Sequence, residues 1–398
     1  MFLTNPVGEF FSDFFQNTGI YQFFTGSWQN LIMILIALLL LFLAIFKKAE
    51  PYLLIPISVG MLLANLPGSD IFIKHNDGTY EGLLGVLYMG VKYDIYPCLI
   101  FLGIGATTDF GPLISRPSTM ILGAAAQIGI FLTFLLAMSI PYPTMMEGAI
   151  VWQNFTAQEA ASIGIIGGAD GPTAVLTTKT LADHLLPSIT IAAYSYMALV
   201  PFIMPPIIRG LTTKKERMIH MDMTKPVSKT KKILFPIIVM IVTILIVPSC
   251  APLIGCLMLG NLIKESGVVP KLVETVSNSL LYIVTILLGL CVGATATGSS
   301  FLTTQTIWIF MLGILAFSFA TASGVLIGKL MCVITHGKVN PMIGAAGVSA
   351  VPMAARVVQK EAQREDPSNF LLMQAMGPNV AGVIGSAVAA GLLMQVLG

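Results

Sequence analysis

Charged side chains are scarce in this sequence. Asp, Glu, Lys and Arg make up 10% of its 398 residues, where soluble domains carry about 25%. With 56% hydrophobic residues and a mean hydropathy of +0.86, this excludes a water-soluble globule. The net charge of +2 comes without a basic arm interleaved with aromatics, so no nucleic-acid partner is expected. Cysteine is sparse too: Cys98, Cys250, Cys256, Cys291 and Cys332 show no metal-ligand or redox spacing and read as packing residues. His75, His184, His220 and His336 form no HExxH pair, and no P-loop is present. No Ser/His or Cys/His nucleophile arrangement is legible. The first 30 residues hold Glu9 and Asp13 but no Lys or Arg, so they lack the cationic start of a secretory signal. Phe10, Phe11, Phe14, Phe15, Tyr21, Phe23 and Phe24 gather there instead. That cluster reads as an interfacial anchor helix on the bilayer surface, with a partner-docking segment as the rival reading.

What the chain does have is long apolar runs. Lipid leaves every backbone group to be satisfied internally, so the expected fold is all-α. The runs predict about ten transmembrane helices, at about 28–46, 51–66, 95–110, 117–139, 187–208, 233–248, 250–264, 274–294, 305–330 and 368–397. Several fall short of the ~20 residues that a perpendicular helix needs. Two further segments, 156–185 and 340–366, are apolar but interrupted by Gly, Pro and polar residues, and read as re-entrant helical hairpins. Basic residues support that count. If 209–232 is cytoplasmic, alternation places Lys47, Lys48, Arg116, Lys264, Lys271, Lys329, Lys338, Lys360 and Arg364 inside as well. Only Lys74 and Lys92 then fall outside, with Lys179 and Arg356 in the hairpins.

The two halves repeat. Gly167, Ala169, Ala198 and Pro201 recur at one constant offset as Gly344, Ala346, Ala375 and Pro378. Pro56 and Asn65 are echoed by Pro252 and Asn261, and Gly105-Ala106-Thr107 by Gly293-Ala294-Thr295. The topology sends 51–66 outward and 250–264 inward, so the repeats are inverted, an arrangement that sets a binding site between paired broken segments near the midplane. The expected organisation is an N-terminal interfacial segment 1–27, a first repeat 28–208 with hairpin 156–185, a basic cytoplasmic linker 209–232, and a second repeat 233–398 with hairpin 340–366.

One carboxylate lies inside the first broken segment, in Gly167-Gly168-Ala169-Asp170-Gly171-Pro172-Thr173. A charge near the bilayer centre costs at least about 2.5–3.5 kcal/mol and so marks an ion path or a substrate site. Asp170 is a Na⁺ or H⁺ ligand on this reading; the alternative is a helix cap bonding the amides after Pro172. Oxygen ligands suit hard alkali cations, and the second break offers Asn340, Gly344 and Ser349, each of which could equally satisfy broken backbone. Arg356 either neutralises Asp170 or binds an anion as a planar fork. Tyr194, Ser195 and Tyr196 open the span after the first hairpin, and Asn379 follows Gly377-Pro378 in the last span, as a further ligand or a simple kink. Asp109 reads as a solvated cap near the inner surface.

These motifs, with Ala193-Tyr194-Ser195-Tyr196-Met197-Ala198-Leu199-Val200-Pro201 and the run from Gly344 to Arg356, closely resemble the β subunit of biotin-dependent, sodium-pumping decarboxylases. The likeness covers nearly the whole chain from about residue 28. It implies a membrane subunit that decarboxylates carboxybiotin, exports Na⁺ and consumes an external proton. The biotin would sit on a carrier protein or domain, loaded by a carboxyltransferase α subunit. A small membrane γ subunit, a homo-oligomer of β chains and the bacterial cytoplasmic (inner) membrane are implied as well. Asp170 would then bind Na⁺, with Asn340, Gly344 and Ser349 at or near the ion sites. Tyr196 and Arg356 would serve ion or proton coupling and carboxybiotin, and Ser349 the same pocket. The alternative is a secondary Na⁺- or H⁺-coupled carboxylate carrier of the same architecture.

Overall fold

A computed structural model describes residues 28–48, 50–75, 79–146 and 149–398, together with residues 10, 14, 16, 18, 19, 21 and 23. The interfacial segment expected at 1–27 therefore lies mostly outside the described residues. Each of the ten apolar runs is helical over most of its length. Five helices are long and apolar enough to cross a bilayer unaided: Trp28–Phe46, Pro117–Ser139, Pro270–Thr295, Thr304–Ile334 and Leu372–Leu397. Counting each of two bent pairs as one span gives up to seven among the described residues: Leu83–Lys92 with Ile95–Thr107, and Asp183–Met197 with Leu199–Leu211. The all-α expectation missed two short antiparallel hairpins, Ile73–Lys74 with Tyr80–Glu81 and Tyr142–Met146 with Ala149–Gln153. Both lie in connecting segments, and the second carries Thr144, Ile150 and Val151, β-branched residues that favour extended backbone.

The chain divides into two compact units. One holds residues up to Tyr93 with Thr285–Thr303. In it, the Pro51–Asn65 helix crosses the segment ending at Thr295 so closely that a Cβ on Gly60 or Gly293 would overlap backbone of Leu290 or Ile57. Asn65 ties the crossing: its Nδ2 donates to the Ala296 carbonyl at 2.8 Å and its Oδ1 accepts from Gly298 N at 3.2 Å.

The other unit holds Asp94–Val284 with Thr304–Gly398. It contains an analogous crossing of Ala251–Ser266 on Ile95–Thr107. A Cβ on Gly105 or Gly260 would overlap the Leu257 or Leu102 carbonyl. Here Asn261 Nδ2 reaches the carbonyls of Gly105 at 3.4 Å and Thr108 at 3.1 Å. Each crossing thus sets a repeated asparagine of one half against the Gly-Ala-Thr helix end of the other.

Burial in this unit takes in polar segments as well as apolar ones. Every residue from 159 to 178 and from 340 to 350 is buried, though these spans are interrupted by glycine and carry polar side chains. The apolar helices around them turn large side chains outward, with Phe202 73%, Leu245 77% and Ile246 70% exposed. That is the packing expected where the surrounding solvent is hydrocarbon. The first broken segment runs as helix Ala157–Gly164, a 3₁₀ turn Ile165–Gly168, and helix Gly171–Leu181. The second runs as a 3₁₀ stretch Pro341–Gly347, extended residues, and helix Met353–Glu365.

Residues assigned to one membrane side by the charge reading are paired with one another. Arg209 meets Glu361 through two 2.6 Å hydrogen bonds, Arg217 meets Glu365 at 2.8 Å, and His220 meets Asp366 at 2.8 Å. Lys232 bridges Asp109 at 3.2 Å and Glu265 at 3.8 Å. Asp109 Oδ1 also accepts from Gly111 N at 2.9 Å, just before helix Gly111–Ser115, whose N-cap is Phe110.

Candidate functional site

The first break is made by its sequence. After the 3₁₀ turn, Ala169 takes a left-handed φ of 55°, a conformation that costs an L-residue about 1–2 kcal/mol. Asp170 then turns extended and becomes the N-cap of the next helix, with Pro172 in its first turn. The carboxylate Oδ2 accepts from Thr173 Oγ1 at 2.6 Å, and Oδ1 takes the Thr173 amide at 3.5 Å. Both readings of Asp170 therefore have structural content: it caps a helix, and it is a carboxylate buried inside the bundle at 7% exposure.

The second break closes on it. Ser349 spans the two segments, its amide and its Oγ both donating to the Gly168 carbonyl, at 3.0 and 2.7 Å. Ser386, on the last helix, lies with its Oγ 2.9 Å from Asp170 Oδ2 and 3.5 Å from Ser349 Oγ. Asn379, on the same helix, holds the second break in place by donating to the carbonyls of Ala346 at 3.0 Å and Val348 at 2.7 Å. One carboxylate, three hydroxyls and a backbone carbonyl thus converge at the meeting point of the two broken segments and the last helix.

Several oxygens nearby have no partner. Asn379 Oδ1, Gln127 Oε1 and the Tyr194 hydroxyl are buried and bond to no described group. Tyr194 lies against Gly171, where a Cβ would strike its ring, and Gln127 lies beside Gly168 and Gly385. A buried unpaired oxygen is costly to leave unsatisfied, by ~1–3 kcal/mol, and such atoms around a carboxylate suit a cation. Among the described residues no three His, Cys, Asp or Glu side chains cluster into a metal-ion site.

Not every residue singled out from sequence joins this cluster. Asn340 caps the 3₁₀ stretch through Met342 N and donates to the linker carbonyls of Arg217 and Ile219, at 3.1 and 2.9 Å. Gly344 is used in a helix crossing, backbone against backbone with Gly324. Tyr196 donates to the Phe310 carbonyl and packs on Gly313, so Tyr194 is the tyrosine next to Asp170. Arg356 is exposed near the start of Met353–Glu365, and its guanidinium has no partner among the described residues. It does not pair with Asp170, whose side-chain partners are Thr173 and Ser386. Ser386, Thr173 and Gln127 were missed. Gln127 was the detectable one, an amide inside an otherwise apolar run. A separate groove of about 470 Å³, lined by His220, Met223, Phe370 and Met373 among others, includes none of the residues around Asp170.

A family model described as Na⁺-transporting oxaloacetate decarboxylase beta subunit matches residues 29–397. The chain is 53% identical over 405 residues to methylmalonyl-CoA decarboxylase subunit beta of Propionigenium modestum, covering 97% of this chain and 98% of that one. It is 50% identical over 383 residues to glutaconyl-CoA decarboxylase subunit beta of Acidaminococcus fermentans, covering 96% of each. Oxaloacetate decarboxylase beta chain of Klebsiella pneumoniae is 48% identical over 414 residues, covering 92% of this chain and 94% of that one.

Proposed function

Because the chain belongs to the Na⁺-transporting oxaloacetate decarboxylase beta subunit family, we propose that it decarboxylates carboxybiotin and couples the reaction to Na⁺ export, consuming one external proton. The observation that carries this reading is the buried Asp170 carboxylate, ringed by Thr173, Ser349 and Ser386 where two broken segments meet. Na⁺ bound there offsets the cost of a buried negative charge, and its departure restores that cost. Occupancy therefore biases one conformation over another, which is the requirement for coupling. Asn379 and Tyr194 supply further oxygens. Ser349 reaches Asp170's partner Ser386 and begins the strand of chain that leads to Arg356. The unpaired guanidinium receives the carboxylate of carboxybiotin as a fork. Loss of CO₂ leaves a ureido nitrogen anion, which takes up the proton.

The architecture follows from the same reading. Ten spans and two re-entrant hairpins, 156–185 and 340–366, form inverted repeats 28–208 and 233–398 joined by the linker 209–232. The reciprocal Asn65 and Asn261 crossings support that symmetry. The hairpins move together against the spans. The chain sits in the bacterial inner membrane as a homo-oligomer, beside a γ subunit, and takes biotin from a carrier loaded by a carboxyltransferase α subunit. Asn340, Gly344 and Tyr196 support the site from outside the Asp170 cluster.

Purification from native membranes tests this. A biotinylated protein should accompany the chain, and decarboxylation by the solubilised assembly should require Na⁺ and stop with avidin. Na⁺ binding by a preparation free of any biotinylated partner, with no decarboxylation on adding one, would favour a carboxylate carrier instead.

A further inference from the structure

Four buried hydroxyls on the two helices of the first hairpin and the span after it lack partners: Thr177, Thr178, Thr190 and Tyr194. A helical Thr ordinarily satisfies itself by donating to the carbonyl one turn back. Thr180, in the same helix, does so, reaching Leu176 O at 2.9 Å. Thr178, Thr190 and Tyr194 are at most 1% exposed and do not. Their placement is ordered. Gly171 faces Tyr194, and seven residues on, Thr178 returns to the same face of Gly171–Leu181. Ala174, between them, packs in one cluster with Ile189, Ala192 and Ala193 of the facing helix. Thr190, four residues before Tyr194, shares its face. The helices are antiparallel, joined at the turn 182–185 where Asp183 and His184 are exposed.

Rise along the helix gives the spacing. Tyr194 stands level with Gly171, Thr190 about 6 Å further out, and Thr178 about 4.5 Å beyond that, at ~1.5 Å per residue. One water bonded to two hydroxyls spans about 5.6 Å. We propose that Thr178, Thr190 and Tyr194 line a water file from the exposed turn 182–185 to the Asp170 carboxylate, and that it carries the proton consumed in decarboxylation. One hydroxyl per level suits bridging waters, which need two to four partners. It does not supply the several oxygens a naked cation takes from its ligands, so Na⁺ does not use it. The file rests on the function proposed above.

The test uses the assembled decarboxylase in proteoliposomes, with Thr178→Val and Thr190→Val singly and together. Valine is close to isosteric and removes only the unpaired hydroxyl, so the thermal midpoint should not fall. The double variant should lose about tenfold or more in turnover, with a larger solvent deuterium effect and an unchanged half-saturating Na⁺ concentration. Thr180→Val should keep the wild-type rate. Wild-type turnover in the double variant, or a loss explained by a higher Na⁺ requirement, would overturn the file. Wild-type assembly that turns over without taking up protons would sink the functional reading itself, and the role of the file with it.

Discussion

Asp170 holds two positions at once, as helix cap and as the lone buried carboxylate of its cluster, and the two can be separated by substitution. In Asp170→Asn the amide oxygen still accepts from Thr173, so the hairpin should fold, while the charge that attracts Na⁺ is gone. Na⁺-dependent decarboxylation should vanish with the thermal midpoint kept; unchanged Na⁺ dependence would remove Asp170 from the ion site. Ser386→Ala deletes one hydroxyl 2.9 Å from that carboxylate. Bonds to charged groups are worth ~1.5–3 kcal/mol, so the half-saturating Na⁺ concentration should rise about tenfold or more. In Arg356→Lys a point charge replaces the fork, and the concentration of carboxylated carrier needed for half-maximal turnover should rise while Na⁺ affinity holds. Asp170 and Ser349 were legible because glycine and proline in an apolar run announce a break. Ser386 was not, since a serine among alanines and glycines looks like small packing. The tyrosines show a different limit. Residues 194 and 196 lie about 200° apart around a helix, so only one can face Asp170, and the sequence alone does not say which.

Helices here are fixed by close backbone crossings more than by side-chain bulk, and two glycines of one helix separate these effects. Gly260 abuts the Leu102 carbonyl, whereas a Cβ on Gly255 meets nothing within 4 Å. Gly260→Ala should destabilise by ~1–3 kcal/mol through overpacking. Gly255→Ala should be neutral or stabilise by up to about 1 kcal/mol, as helix propensity dictates. Thermal midpoints in detergent compare the two, and equal shifts would count against the crossing. The linker 209–232 is held by charge instead. The Asp366 carboxyl lies below the usual carboxylate range, lowered by the Ser368 hydroxyl, the Ser368 amide and His220. A depressed carboxyl stabilises the fold above its unfolded value and loses that contribution as pH falls through its folded value. Protection factors in 213–222, corrected for intrinsic exchange, should therefore fall in acid and hold in mild alkali. The helical runs and the two broken segments were visible in the apolar runs and their Gly/Pro interruptions; the two β-hairpins were not, because short polar connections carry no repeat long enough to read.

At the scale of the molecule, the basic linker, the end of the second hairpin and the loop at Asp109 are joined by ion pairs, in keeping with the side that the positive-inside pattern gives them. The decarboxylase substrate was not legible in the chain, and the relatives are named for three different ones. The coupling itself is open to direct measurement as ²²Na⁺ uptake into inverted membrane vesicles supplied with the decarboxylase substrate. Uptake should require the substrate, stop with avidin and be absent in Asp170→Asn. Uptake that continues undiminished under avidin, or that needs no decarboxylation, would contradict a decarboxylation-driven sodium pump.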